Sequence, residues 1–148
     1  MPQLRDVIRP DGAFVEVRAG WSQSSGRQLR AALRPVPPAT QTQAILDTGA
    51  EMTCVDWAII TVLGLAFGGT TFANLPAHGG LTGAGVFDVS LTIVHPSGNA
   101  TDNLVIPAMS VLGVSLSPVG YDVLLGRDLL ANCRFLYEGP TNQFELGY

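Results

Sequence analysis

At 148 residues, 47% of them hydrophobic and 14% charged, with a formal net charge of -4, the chain suits a single domain that buries its own core and offers no basic stripe for a phosphate backbone. Nucleic-acid binding is therefore not expected. Cys54 and Cys133 have neither the spacing of a redox pair nor the companions of a zinc site, so both read as free thiols. Arg5, Asp6, Arg9, Asp11, Glu16 and Arg18 interrupt any apolar leader or span near the start. A soluble, cytoplasmic chain with no integral membrane segment is the expectation.

Taken in chain order, residues 1–12 read as an N-terminal arm on one domain covering 1–148. Short apolar runs then predict strands at Ala13 to Arg18, Gln28 to Leu33 and Thr42 to Leu46. Arg34-Pro35-Val36-Pro37-Pro38 lacks ladder donors and reads as a surface connection. Val55 to Leu63 reads as a short helix. The alternation of Val86 to Val94, the turn chemistry of Pro96-Ser97-Gly98-Asn99 and the apolar run Asp102 to Met109 together predict a hairpin. Val123 to Leu125 predicts a strand, Arg127 to Asn132 a helical turn or two, and Arg134 to Tyr137 and Gln143 to Leu146 two closing strands. With 17 glycines and 10 prolines between these runs, the fold class is all-β with one or two short helices.

Two segments carry chemistry. In Ala44-Ile45-Leu46-Asp47-Thr48-Gly49-Ala50-Glu51 an apolar strand delivers one carboxylate into a Thr-Gly turn. A carboxylate there is costly to desolvate and needs hydrogen-bond partners or a function. In Tyr121-Asp122-Val123-Leu124-Leu125-Gly126-Arg127-Asp128-Leu129-Leu130 a second apolar strand runs through glycine into a charged helix start. Order, spacing and late position of this pair resemble the retropepsin-like (retroviral-type) aspartic proteases, in their cellular and bacterial rather than minimal viral form. The resemblance extends from about Ala13 to Tyr148 and implies a closed β-barrel of the acid-protease type with a flap hairpin, acting as a homodimer.

By position, the resemblance makes Asp47 the catalytic aspartate, Thr48 the residue that interlocks with its twin beneath the site, and Gly49 the point of close substrate approach. Ala50 and Glu51 then belong to the substrate-binding edge, with Glu51 standing where an aspartate is usual and Arg127 bracing it; Leu125 and Gly126 give structural support. Asp128 reads as a structural acid at a helix start. The flap candidate is His78 to Gly85, whose Gly79, Gly80, Leu81, Thr82 and Gly83 would reach the peptide backbone. Phosphate cradling is a poor reading of these glycines because no Gly-Lys-Ser/Thr follows, and no metal or other cofactor is expected. Phe144 and Leu146 are open between a dimer interface and the core of one chain.

Hydrolysis by this chemistry needs two carboxyl groups sharing one proton, and the chain holds only one Asp-Thr-Gly. Two copies of Asp47 across a two-fold axis would supply the pair, acting on a peptide or protein substrate. Ala50 lacks the hydroxyl that would stabilise an ionised pair, so activity is expected in weakly acidic to near-neutral conditions. The alternatives are a non-catalytic peptide-binding or dimerisation module on the same fold, and a small-ligand β-barrel with Asp47 as a turn residue.

Overall fold

Alternating burial along the strands closes a barrel in which every second residue faces inward. The computed structural model describes residues 1–75, 80–116 and 119–148. Its strands are β1 (Gln3–Val7), β2 (Phe14–Trp21), β3 (Thr40–Leu46), β4 (Cys54–Asp56), β5 (Phe67–Leu75), β6 (Gly80–Ile93), β7 (Leu104–Val114), β8 (Val123–Leu125), β9 (Arg134–Glu138) and β10 (Gln143–Gly147). Among the described residues three α-helices intervene: α1 (Gln23–Ala31), α2 (Trp57–Leu63) and α3 (Arg127–Leu130). The large sheet runs β2-β3-β8-β4-β7-β6-β5, and a further β2–β6 pairing closes its first six strands on themselves. Inside lie Val17, Ala44, Val55, Val89, Leu91, Ile93, Val111, Val123 and Leu125, none more than 1% exposed. At about 1.5–3 kcal/mol for each large side chain removed from water, this interior is the main source of stability. The all-β reading stands.

The second sheet, β1-β10-β9, is antiparallel, with Leu4 opposite Leu146 and Phe144 opposite Tyr137. The N-terminal arm is therefore a strand in its own chain. Phe144 and Leu146, 1% and 0% exposed, belong to the core of one chain and are not free for an interface. His95 ties β1 to the β6–β7 turn: its Nδ1 accepts from Ser97 N–H, which leaves Nε2 to donate to Gln3 O at 3.0 Å.

Three segments differ from the sequence expectation. Gln28 to Leu33, read as a strand, is the end of α1: Ser22 Oγ accepts from Ser25 N–H at its start, and Leu29 is buried on its inner face. Leu33 then adopts a left-handed conformation (φ 55°) while Arg34 N–H reaches back to Leu29 O at 2.9 Å, a capped helix end. Helix α2 begins two residues later than read, because Asp56 Oδ1 accepts from Ala58 N–H at 2.8 Å and fixes the start at Trp57. Strand β5 was not foreseen at all. Its partner β6 begins in the expected flap segment, with Phe72 opposite Gly83 and Leu75 opposite Gly80. His78 and Gly79 of that segment lie outside the described residues.

Candidate active site

Two parallel strands build the site. Residues Ala44, Ile45 and Leu46 of β3 pair with Val123, Leu124 and Leu125 of β8, and β4 pairs with β8 from the other side. At the end of β3 the chain leaves the barrel, and Asp47 N–H donates to Leu125 O at 3.0 Å. The half-exposed Asp47 carboxylate is then fixed by its own turn: Oδ1 accepts from Gly49 N–H at 2.9 Å. An added Cβ on Gly49 would sit 3.1 Å from that same oxygen, so a side chain there would crowd the carboxylate.

Behind the turn, residues 50–53 are clamped to 126–128. Arg127 N–H donates to Ala50 O at 2.9 Å and Asp128 N–H to Glu51 O at 3.3 Å. Thr53, fully buried, gives its N–H and its hydroxyl to the Asp128 carboxylate at 3.0 and 2.7 Å, and its Oγ1 accepts from Gly126 N–H at 3.1 Å. Asp128 is thus a structural acid, and it also accepts from Leu129 N–H at 2.8 Å. Replacing Asp128 by Ala leaves the buried N–H and O–H of Thr53 without acceptors, which should cost about 2–4 kcal/mol. A shift of the urea midpoint equivalent to less than about 0.5 kcal/mol would show that the clamp does not rely on this carboxylate.

Glu51 and Arg127 do not pair. The exposed Glu51 carboxylate makes no ion pair with Arg127, whose Nη1 instead donates to Thr48 O at 3.3 Å. The arginine side chain thus meets the Asp47 turn at a main-chain carbonyl and not at the Glu51 carboxylate. Thr48 and Gly49 are exposed, as are Leu81 and Gly83 on the β5–β6 hairpin, while Gly80 and Thr82 are half-buried.

A second apolar cluster, unnoticed in the sequence, flanks Asp47 on the outer face of the barrel. Cys54, Ala84, Leu112, Val114 and Leu116 are buried there, with Met52, Ala73, Val86, Tyr121 and Leu124 packed against them and half-exposed. The signal was the period of β8: Val123 and Leu125 enter the core, so Leu124 must face out, beside the carboxylate. The Tyr121 ring meets Phe14 edge to face at 5.9 Å between centroids. Burial, and then the Asp47 carboxylate with smaller contributions from Asp11 and Cys54, pushes the Tyr121 phenol up from its ordinary value. Burial first, then Asp128 and Asp47, pushes the Cys54 thiol up to about 11.

Two consequences follow for Cys54. Native protein should alkylate at Cys54 far more slowly than an unfolded thiol at about pH 8, because only the thiolate reacts. Mass spectrometry of iodoacetamide-treated samples reads this, and rapid labelling of native Cys54 would contradict the burial. The sign in pH follows from the same shift. Between the ordinary thiol value and about 11 the folded state holds a proton that the unfolded chain has lost, so this group makes stability fall as pH rises across that window.

Among the described residues no cluster of three or more His, Cys, Asp or Glu side chains could hold a metal ion, and no helix is long and apolar enough to cross a membrane. No protein-family model matches the chain, and no curated protein matches it in sequence. Solved structures do. A retropepsin-like aspartic protease from Rickettsia conorii superposes with a TM-score of 0.53 at 15% identity, over 99% of this chain and 90% of that one. A retroviral protease-like domain of Ddi1 from Leishmania major (TM-score 0.43, 13% identity, 89% and 86% covered) and the EIAV protease complexed with the inhibitor HBY-793 (TM-score 0.36, 23% identity, 63% and 77% covered) overlap more loosely. The chain-long superposition with the Rickettsia structure, together with the closed six-strand barrel, defines the class: this chain has the retropepsin-like fold.

Proposed function

We propose that the chain is an aspartic endopeptidase whose site is completed by a second copy of itself. The observation that carries this reading is the placement of Asp47: a half-exposed carboxylate at the end of a core strand, oriented by Gly49 N–H and held by the 126–128 clamp in a barrel of the retropepsin-like fold. One such group cannot act as base and acid toward the same peptide bond. Two copies across a two-fold axis can, because carboxylates that close share a proton: one activates water while the other donates to the scissile carbonyl.

In this reading Thr48 and Gly49 lie on the axis side of the turn, Ala50 and Glu51 meet the substrate main chain, and Gly80, Leu81, Thr82 and Gly83 close over it from the β5–β6 hairpin as a flap. Met52, Tyr121 and Leu124 form the apolar wall of the cleft. Leu125, Gly126 and Arg127 keep the Asp47 turn in place. With no Ser after Gly49 to stabilise the ionised pair, the rate maximum should fall in weakly acidic to near-neutral solution.

The test is cleavage of a diverse peptide library by the purified chain, followed against protein concentration and pH. Specific activity that climbs with concentration, in step with dimer measured by sedimentation, is the expected result. Specific activity independent of concentration would overturn the shared site, and a maximum well below about pH 4, an unperturbed carboxyl value, would overturn the pH reading. A stable dimer that binds peptides without cleaving them would make the chain a peptide-binding module.

A further inference from the structure

From Trp57 to Phe87 the chain carries no Asp, Glu, Lys or Arg, its longest run without a charge. Strand β5 lies in the middle of that stretch and at the edge of the large sheet; among the described residues it pairs with β6 alone. Its other edge therefore presents backbone N–H and C=O groups with no strand beside them. Edge strands are ordinarily protected by a charge, a proline, short length or a covering loop. Phe67–Leu75 has nine residues, no proline and no charge. A register shift between Phe67 and Gly69 is its only interruption, leaving Gly69 to Leu75 in unbroken pairing with β6.

The same strand presents an apolar face. Phe67 and Phe72 are 64% and 73% exposed, and Leu81, opposite Asn74 on β6, is 73% exposed. Trp57 and Phe67 both meet the buried Phe87 ring edge to face, at 5.5 and 6.0 Å, so the face is continuous from α2 onto the hairpin. A lipid surface would accept these side chains but would leave the free edge amides without partners, at several kcal/mol per group. A second strand satisfies the edge and covers the phenylalanines together.

We infer that the occupant is a second copy of this chain, with β5 pairing antiparallel to its twin across a two-fold axis. Such a contact is isologous, so each residue of one strand meets a residue of the same segment. Identical charges placed opposite each other would repel; β5 has none, and that makes it self-complementary where most edges are not. This contact is separate from the Asp47-centred pairing, because Phe72 and Leu81 alternate along the hairpin with Ala73, Ala84 and Val86, which pack on its other face in the cluster beside Asp47. It adds a further doubling of mass to whatever assembly the site requires.

Thr70, exposed in the middle of β5 and outside the proposed catalytic and flap residues, provides the test. Sedimentation of wild type, Thr70→Lys and Thr70→Glu over a wide concentration range should show wild type reaching about twice the mass of either variant alone. Mixing the Lys and Glu variants should restore the larger species, which a merely misfolded variant could not do. Equal masses for all three proteins would overturn the proposal, as would a doubling that survives in Thr70→Lys. Wild type that fails to double but co-sediments with phosphatidylcholine vesicles would overturn it in favour of a lipid surface. Asp47→Asn should leave the doubling intact, so failure here and failure of the peptidase reading are told apart.

Discussion

Asp47→Asn should remove peptide cleavage by about 10^4-fold, the upper range of what a positioned acid-base group supplies, while leaving the melting temperature almost unchanged. The two halves of that expectation rest on one contact. Asp47 Oδ1 accepts from Gly49 N–H at 2.9 Å, and an Asn amide oxygen can accept the same bond, so the turn keeps its shape. What the amide cannot do is share or pass a proton with a second carboxyl group. In a symmetric pair neither half keeps a carboxyl group, because the substitution enters both at once. A variant that still cleaves within tenfold of wild type would exclude Asp47 from the chemistry. A variant that loses activity together with several degrees of melting temperature would show that the carboxylate is structural instead.

Gly126→Ala should be the most damaging single methyl group in the molecule. An added Cβ at Gly126 would stand 2.6 Å from Met52 C, 2.8 Å from Met52 O and 3.0 Å from Thr53 N, all backbone atoms of the opposing clamp segment. The conformation itself, φ -86° and ψ -177°, is open to any residue, so the cost is steric and not conformational. Backbone on both sides has nowhere to move without breaking the Thr53–Asp128 and Arg127–Ala50 bonds, and about 3 kcal/mol or more is expected. Gly113→Ala makes a useful contrast. Its Cβ would meet the buried Phe87 ring at 2.9 Å and the exposed Trp57 ring at 3.1 Å, side chains and not backbone, so a smaller cost of about 1–2 kcal/mol is expected there. Equal denaturation midpoints for the two variants would refute the distinction between a rigid and a yielding neighbour.

The Asp47 strand and the Leu124 to Leu130 segment were legible because each combines an unbroken apolar run with a residue that cannot sit in it without reason. Asp47 and Gly126 are those residues, and the structure places them on adjacent strand ends. Strand β5 was illegible for the opposite cause: Gly68, Gly69, Thr70 and Thr71 dilute its apolar signal, and its stability comes from β6 rather than from its own composition. In α1 the strand reading of Gln28 to Leu33 weighed the apolar ends and passed over Ser22, whose hydroxyl caps the helix from outside that window. The apolar wall of Met52, Tyr121 and Leu124 draws on the 50s turn and the 120s strand together, and no local pattern announces a surface assembled from segments so far apart.

That separation also bears on synthesis. The bonds that clamp the Asp47 turn to 126–128 join residues 73 to 79 positions apart, and the β3–β8 pairing is parallel, so the local Gly49 bond forms without the frame that aims it. A nascent chain whose first hundred or so residues have left the ribosome has its aspartate but not the strand that aims it, about a hundred being the length of a small domain. The frame of the site therefore comes into being only once residues 123–128 are free to pair, long after the aspartate itself has been made.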